Sequence, residues 1–367
     1  MNRLVPVEIT MVNTQMSANL KTSLADFHQD ILSDLLTRLY DNRFKIAHVR
    51  FPTRLDVKSW ASEIGINETD AQVLIRLYQR EGIIEQTLPT SASLSGHGVE
   101  YCEEQGLVNV EYKNRNRRVR FVILKIFDLQ DEAQKRANLY GALHIGPADG
   151  TQELRQKENI TDEEFRINSQ ILEDLGLLIR NGPINGLTDL GRARLANNEA
   201  REYWSHSFNE MFTDKLLSPQ QRGHQLEQLL MDICKFEGWE VKKSVRTTGQ
   251  EHDLILNRNL DYYFVQCKWE GKKVQPHAIS VLRDRVTSRP GTRGIFVSMS
   301  GFTQAAIQET SGRLEACLMI LYGSRDISSI VNGNVTFSEL LALKYHDAVV
   351  SRRMLIDSSE EIGKLKS

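Results

Sequence analysis

Residues 253–269, DLILNRNLDYYFVQCKW, carry the feature that most restricts the fold of this chain: two apolar-rich stretches on either side of a short polar turn. This pattern predicts a β-hairpin that turns around Asn259 and Leu260. Facing residue numbers would then sum to about 519, which sets Asp253 directly opposite Gln266. Because side chains alternate across a strand, Gln266 and Lys268 would share one face and Cys267 the other.

The sequence around this hairpin predicts the fold of the C-terminal half. Ser218 and Pro219 form an N-cap and first-turn pair before an amphipathic helix, and strands then alternate with helices as far as residue 321. The predicted order is α-β-β-β-α-β-α-β. It indicates an α/β fold, a mixed sheet with helices on both faces.

Three polar side chains would meet on one face of this sheet. Asp253 and Gln266 offer hard oxygen ligands that suit Mg²⁺, and Lys268 places an ammonium group beside them. An ammonium in that place can stabilise a phosphate or orient an attacking water. The pattern therefore indicates a candidate site for metal-assisted phosphate chemistry.

The same residues carry a family resemblance. Asp253, twelve further residues and then Gln266-Cys267-Lys268 resemble the PD-(D/E)xK nuclease motif in its QxK variant. The segments TTGQEHDLIL, FVQCKW and RGIFVSMSGFTQAA are similar to the catalytic domain of Mrr-like type IV restriction endonucleases, over residues 206–345. Most relatives carry Glu or Asp where this chain has Gln266, and a neutral ligand binds a cation more weakly.

The resemblance implies a restriction-endonuclease-like domain that hydrolyses DNA with Mg²⁺, or with Mn²⁺ in its place. Its catalytic set would be Asp253, Gln266, Lys268 and Glu227, the last from the first helix of the domain. Asp253, Gln266, Glu227 and the Cys267 main-chain carbonyl would hold the cation. Lys268 would orient or deprotonate the water, or stabilise the transition state.

The resemblance also implies partners and a role. Restriction or defence against foreign or modified DNA is expected, and double-strand cleavage favours a homodimer. Backbone contacts would come from the basic residues after the hairpin, which are Lys272, Lys273, Arg283, Arg285, Arg289 and Arg293. The alternative is a catalytically silent nuclease-fold protein that acts as a DNA-binding or regulatory module. A variant of the nuclease hypothesis has the N-terminal half hold the enzyme inactive until a signal arrives.

The N-terminal half contains a duplication at an offset of 93 to 94 residues, in which Ile66, Gly82 and Leu94 recur as Ile160, Gly176 and Leu187. Each copy reads as a helix that stops at Gly, followed by a short strand, a turn and a second strand-like piece that starts L-[ST]-x-x-G. This order resembles the winged-helix fold. The predicted architecture is thus two mainly α winged-helix domains before the nuclease domain.

The predicted boundaries are 22–108 and 128–200 for the winged helices, 109–127 for a basic β-hairpin connector, 206–345 for the nuclease and 346–367 for a C-terminal tail. The two helices that would read DNA begin with acidic residues, at positions 68 and 70 in the first copy and 162–164 in the second. A major-groove reader usually presents basic or amide side chains there. Packing within the protein or on a second subunit is therefore the structural alternative for these copies.

The connector contains the second nucleic-acid candidate, five basic residues in eight with no acid. These are Lys113, Arg115, Arg117, Arg118 and Arg120. Phosphate contacts from such a segment would make binding salt-sensitive. The alternative is a basic hairpin that is merely solvated.

Composition limits the remaining classes. The formal net charge of −2 gives no global attraction to nucleic acid, so such contacts must be local. The four cysteines are scattered without a CxxC pair, which predicts free thiols rather than a disulfide framework or a zinc site. No apolar run approaches membrane-spanning length and the N-terminus lacks a signal-peptide pattern, so no membrane partner and a cytoplasmic location are expected.

Overall fold

The computed structural model describes residues 18–44, 54–88, 90–139, 148–181, 184–214, 216–247, 250–311 and 317–356. The chain divides into two compact units, residues 1–195 and 196–367. In the described residues we find no helix with both the length and the apolar character needed to span a bilayer.

The N-terminal unit is mostly helical. Its helices are α1 (Ala18–Phe44), α2 (Val57–Ile64), α3 (Glu68–Arg80), α4 (Gly96–Glu104), α5 (Val110–Leu139), α6 (Thr151–Lys157), α7 (Asp162–Asp174) and the start of α8 (Asp189–Thr213). Its strands are β1 (Leu55–Asp56), β2 (Ile84–Leu88), β3 (Ser91–Leu94), β4 (Leu178–Asn181) and β5 (Ile184–Leu187), in antiparallel sheets of order β1-β3-β2 and β4-β5. Each repeat thus has two helices before a hairpin, in the predicted order. Their assignment as winged helices stays a prediction.

The repeated L-[ST]-x-x-G motif does not start a strand as predicted, because it ends one and begins a helix. Ser95 Oγ accepts a hydrogen bond from Gly98 N at 2.9 Å, and Thr188 Oγ1 accepts one from Gly191 N at 2.9 Å. A Cβ at either glycine would lie 2.1 Å from a carbonyl oxygen of the preceding hairpin. The motif therefore needs glycine for close packing of helix on strand.

The basic β-hairpin predicted over 109–127 is wrong, because these residues belong to α5. Val119 and residues 121–124 are buried on nearly every side of that helix. A continuous apolar run of this kind fits a buried strand and a buried helix equally well. One hydrophobic core extends from Ile31 to Leu195 and includes both repeats, so the two copies do not form separate cores.

From residue 219 to residue 323 the C-terminal unit confirms the predicted α-β-β-β-α-β-α-β order, and two helices that the sequence did not predict follow. It consists of α9 (Pro219–Phe236), β6 (Glu240–Thr247), β7 (Gln250–Arg258), β8 (Asp261–Lys268), α10 (Pro276–Thr287), β9 (Thr292–Ser298), α11 (Gln304–Ser311), β10 (Met319–Gly323), α12 (Ser324–Val331) and α13 (Phe337–Val350). The five-stranded sheet has the order β10-β9-β8-β7-β6. Strands β8, β9 and β10 run parallel, and β6, β7 and β8 are antiparallel, so the sheet is mixed.

Two hydrophobic layers cover the sheet. One contains α9, α12 and α13 together with Trp204 and Phe208 of α8, and the other contains α10 and α11. The C-terminal unit therefore starts before residue 206, the start predicted for the nuclease domain. The C-terminal tail predicted over 346–367 is wrong in its first part, because Met354 and Ile356 are buried in the unit. Residues 357–367 lie outside the described residues.

The four cysteines are free, as predicted. Three are buried, and Cys317 is partly buried. Burial raises the pKa of the Cys102 thiol to about 12, with a further contribution from the neighbouring Glu103 carboxylate. This thiol is therefore protonated and unreactive near neutral pH.

Candidate active site

The hairpin β7–β8 has the predicted turn and register. Asn259 and Leu260 form the turn with φ of 52° and 71°, a left-handed geometry that Asn adopts readily and that matches the strand twist. Leu254 faces Val265 and Arg258 faces Asp261, so facing numbers sum to 519 as predicted. Continued by one residue, this register places position 253 opposite Gln266. The side chain of Asp253 itself lies outside the described residues.

Gln266 and Lys268 lie on the face of β8 that α10 covers. Phe264, two residues earlier on the same strand, packs in the α10–α11 layer, whereas Val265 and Cys267 pack in the α9 layer. Strand alternation therefore puts both polar side chains on one face, at the end of β8. This is the predicted arrangement for these two residues.

Gln266 contacts a guanidinium that the motif did not predict. Arg285, in the last turn of α10, donates a hydrogen bond from Nη1 to Gln266 Oε1 at 3.1 Å. A guanidinium has donors only, so it fixes the amide with its oxygen towards α10. Arg289, one helical turn later, lies over the Phe264 ring at 5.1 Å. Two cations, one from α10 and one from the residues just after it, thus border the Gln266 face of β8.

Lys268 is held at the mouth of the site by a neighbouring acid. Its Nζ lies 2.9 Å from Glu270 Oε1, and the two side chains are 33% and 57% exposed. Met299 N donates to the Lys268 carbonyl, and Ser300 Oγ donates to the Glu270 carbonyl. The main chain around the lysine is therefore anchored to the end of β9, while the ion pair itself is of the weak surface kind.

Glu227 lies in the other layer. It is a buried residue of α9, and the Nδ1 atom of His224 lies 3.5 Å from its Oε2. Helix α9 packs on the Cys267 face of the sheet, opposite the face of Gln266. The structure thus does not bring Glu227 onto the face that carries Gln266 and Lys268. Its role as a ligand stays a prediction.

The residues of this site fit a hard divalent cation by their chemistry. An amide oxygen at Gln266, the main-chain carbonyl of Cys267 and a carboxylate at position 253 are all oxygen donors of the kind that Mg²⁺ takes. Among the residues with described side chains, no cluster of three or more His, Cys, Asp or Glu occurs. A donor set with one carboxylate on this face would not appear as such a cluster.

Of the six basic residues predicted to contact DNA, Arg285 and Arg289 border the Gln266 face, and the other four divide into two groups. Arg283 is buried and pairs with Glu309, and Arg293 pairs with Asp261 at the far end of β8, so both serve the fold. Lys272 and Lys273 are exposed in the loop after β8. These two lysines keep the predicted role of DNA contacts as a proposal.

Four arginines of α5 pair with acids of the same unit. Arg115 binds both carboxylate oxygens of Glu164 at 2.8 and 3.0 Å, which holds the pKa of that carboxyl below its usual value. The other pairs are Arg118–Glu158, Arg117–Glu103 and Arg120–Glu103. These guanidiniums stabilise the unit internally, so we do not carry Arg115, Arg117, Arg118 and Arg120 into the proposed DNA surface. The DNA contact expected of Lys113 stays a prediction.

The acidic helix starts also have structural roles. Glu164 completes a capping box with Thr161, Asp162 pairs with Arg155, and Asp70 accepts a hydrogen bond from Nδ2 of Asn67, the N-cap residue of α3. Helix α7 packs against α4 and α5 inside the unit. These contacts favour the packing alternative for the second repeat.

Sequence reasoning missed two residues of the site. Glu270 continues the alternation of 266 and 268, so the two-residue spacing could have indicated it. Arg285 was noticed only as part of a basic stretch, because its contact with Gln266 depends on how α10 packs. Trp269 packs on Phe208 and Phe212 with ring centroids 6.3 and 4.8 Å away, which makes it a packing residue.

Comparisons with known proteins bear on this domain. Residues 219–321 match the Mrr_cat family model, which describes a restriction endonuclease. No curated protein matches the chain significantly. A solved structure, Can2 from Sulfobacillus thermosulfidooxidans in complex with cyclic tetra-adenylate, is similar at 12% identity and a TM-score of 0.24, over 67% of this chain and 55% of that chain. A likeness of that degree does not bear on function.

The family match covers the residues that form α9, the three antiparallel strands, α10, β9, α11 and most of β10. It contains every residue of the site on β7, β8 and α10. The mixed sheet flanked by helices has the architecture that such a domain requires. Residues 219–321 therefore match the Mrr-like restriction endonuclease family model and have the fold of a restriction-endonuclease-like domain.

Proposed function

We propose that the C-terminal unit hydrolyses DNA phosphodiester bonds in a Mg²⁺-dependent reaction, with Mn²⁺ as a substitute. The proposal rests on one observation above all, the placement of Gln266 and Lys268 on one face at the end of β8, in a hairpin whose register, continued by one residue, sets position 253 opposite Gln266. Restriction or defence against foreign or modified DNA, in the cytoplasm, is the role that this activity fits.

The roles of the residues follow from their chemistry. Asp253, Gln266 and the Cys267 carbonyl would hold Mg²⁺, and Glu227 would join them only by reaching past the sheet. When bound, Mg²⁺ supplies positive charge that polarises the phosphate and acidifies water. Lys268 donates hydrogen bonds to the phosphate or to the attacking water, and Glu270 keeps its ammonium in place between turnovers. Exposed Lys272 and Lys273 bind the DNA backbone beside the site.

A catalytically silent DNA-binding module is the second candidate. One observation favours it: the amide oxygen of Gln266 already accepts a hydrogen bond from a cation, Arg285, which weakens it as a ligand. The two candidates differ in whether DNA is cut, not in whether it is bound.

Plasmid cleavage by the full-length protein tests the proposal. With Mg²⁺ or Mn²⁺ we expect nicked or linear product from at least one of two plasmids, one unmodified and one cytosine-modified. With EDTA we expect no product from either plasmid. Comparing the two plasmids defines the target class. Linear product without accumulation of nicked circles would support two active sites acting together, as in a homodimer. DNA binding without cutting under every metal condition would favour the silent module.

Lys272 and Lys273 are expected to contribute to the salt dependence of DNA binding. Replacing both by alanine removes two phosphate contacts, so the slope of log affinity against log salt should fall by about 2. Fluorescence anisotropy of a labelled duplex in EDTA measures this slope. The matched control replaces the exposed Lys235 and Lys242 of the same unit. An equal slope in both double variants would leave 272 and 273 as solvated lysines.

A further inference from the structure

Helix α3 of the first repeat has one face packed in its unit and one face exposed. It packs on α2 and β2, and Ala71 and Ile75 on that side are fully buried. On the other side Val73 and Leu77 are 52% and 38% exposed. An ordinary solvated helix face carries polar side chains, so an exposed face with two large apolar residues indicates a binding surface.

The exposed face forms one stripe along the helix. Because each residue turns the helix by about 100°, positions 69, 73, 76 and 80 follow one another along one side, with 72 and 77 beside them. The stripe thus consists of Thr69, Gln72, Val73, Arg76, Leu77 and Arg80, of which only Gln72 is partly buried. It contains two arginines, one helical turn apart, and no acid.

The carboxylates of this helix lie beside the stripe. Glu68 is roughly 100° from Thr69 around the helix axis on one side, and Asp70 is as far away on the other. Asp70 also accepts a hydrogen bond from Asn67 Nδ2 at 2.6 Å, and Glu81, the C-cap residue, follows on the Asp70 side. The acidic first turn therefore does not place a carboxylate in the middle of the exposed face.

The second repeat uses the equivalent face inside the unit. At the offset of 94 residues, Val73 and Leu77 correspond to Ile167 and Ile171, which are 8% and 0% exposed. Helix α7, which carries them, packs against α4 and α5, and the two arginines of α3 have no basic equivalent there. The duplication thus contains one internal and one exposed copy of the same helix face.

The connection before α3 has the length found in DNA-binding motifs. Helix α2 ends at Gly65, which has a left-handed φ of 76°, and Asn67 caps α3, so residues 65–67 alone join the two helices. A helix-turn-helix has a turn of this length, often with glycine, and its second helix lies in the major groove of DNA. Helix α3 holds that second position.

The chemistry of the stripe matches the major groove of duplex DNA. Arginine binds guanine edges and phosphates, an amide side chain binds adenine, and apolar groups contact the thymine methyl. A protein partner would have to place acids opposite both Arg76 and Arg80, whereas phosphates line both sides of the groove. The C-terminal unit of the same chain, whose proposed substrate is DNA, makes a duplex the partner that this stripe would meet.

We propose that α3 binds double-stranded DNA in the major groove, with Arg76 and Arg80 on base edges or phosphates, and that α7 has only a packing role. The proposal rests on the proposed function in one respect, that DNA is the partner of this chain. It adds a DNA-binding element in the N-terminal unit to Lys272 and Lys273 of the C-terminal unit.

The test is the double variant Arg76→Gln with Arg80→Gln in the full-length protein, which keeps two polar side chains and removes both charges. Fluorescence anisotropy of a labelled duplex of mixed sequence, in EDTA, measures binding without cleavage. The affinity should fall by about 10-fold or more, and the slope of log affinity against log salt should fall by about 1 to 2.

Two further double variants complete the design. Arg136→Gln with Arg166→Gln removes two exposed arginines from α5 and α7, so it changes the net charge equally, and its affinity should stay within about 2-fold of wild type. Arg76→Lys with Arg80→Lys keeps the charges without the planar forks, so it should restore the salt slope and only part of the affinity. Circular dichroism checks that all variants are folded.

The outcomes separate this proposal from the nuclease function. An affinity of the Arg76 and Arg80 glutamine variant within about 2-fold of wild type, or equal to that of the Arg136 and Arg166 control, would overturn it. A changed oligomeric state in sedimentation, with DNA affinity unchanged, would make α3 a protein interface instead. Wild-type protein that binds the duplex but cuts no plasmid would refute the nuclease and leave the assignment of α3 standing. Wild-type protein that binds no duplex would refute the assignment itself.

Discussion

Asp253→Ala is expected to lower DNA cleavage by about 10³-fold or more at saturating DNA and Mg²⁺, because the metal contributes several kcal/mol of transition-state stabilisation. The other proposed ligands on this face, Gln266 and the Cys267 carbonyl, are neutral. In the proposed site Asp253 would therefore be the carboxylate on which cation binding depends. Gel analysis of plasmid cleavage over time measures the loss.

Two measurements show that this loss comes from the site and not from unfolding. Without divalent metal, Asp253→Ala should bind duplex DNA as tightly as wild type or more tightly, because a negative charge near the phosphate has been removed. Asp284→Ala, which removes an exposed carboxylate from α10, should cut at the wild-type rate. Lys268→Ala should lose activity without gaining DNA affinity. Wild-type cleavage by either the Asp253 or the Lys268 variant would place the active site elsewhere.

The central hairpin could be predicted from the sequence because local interactions determine it. Asn259 favours the left-handed conformation of the turn, and once the turn is fixed, strand alternation sets which residues face each other. The same reasoning placed Gln266 and Lys268 on one face. The order of helices and strands from residue 219 to residue 321 also followed from caps, glycines and apolar periodicity.

Long-range contacts could not be predicted in this way. Arg115 and Arg118 are 49 and 40 residues from the acids that they bind, and no local pattern signals such pairs. The apolar run of α5 is buried on all sides, so it shows no helical periodicity and was read as a strand. The Arg285–Gln266 contact joins a helix to a strand, and no local pattern in the sequence indicated it.

Glu103→Ala is expected to lower the free energy of unfolding of the N-terminal unit by about 3–5 kcal/mol, since it leaves a buried charge without its partner. The Glu103 side chain is fully buried and joins three helices. Arg120 Nη2 lies 2.6 Å from its Oε2, Arg117 Nε lies 2.9 Å from the same atom, and Tyr40 Oη donates to its Oε1 at 3.0 Å. Burial, followed by the charge of Glu103, raises the pKa of Tyr40.

Hydrogen exchange of peptides from α4 and α5 measures this loss of stability within the N-terminal unit. A local measurement is needed because a chain of two units need not unfold in a single two-state step. Glu104→Ala, the exposed neighbour, is the matched control and should change stability by less than about 0.5 kcal/mol. A loss below about 1 kcal/mol in Glu103→Ala would contradict the assignment, because a buried charge cannot lose its partner at so small a cost.

The two arginines that share Glu103 are not equivalent. The Arg120 side chain is 7% exposed and that of Arg117 45%, so only Arg120 loses its solvation in the folded unit. In the double variant Glu103→Leu with Arg120→Met, both buried charges are replaced by apolar groups of similar volume. Most of the stability lost in Glu103→Ala should return, because the cost there is mainly the orphaned charge. Arg117 can turn to solvent in that variant, whereas Arg120 in the single variant cannot. Recovery in the double variant would therefore show that the contribution of this network to the free energy of unfolding depends on burial rather than on the number of ion pairs.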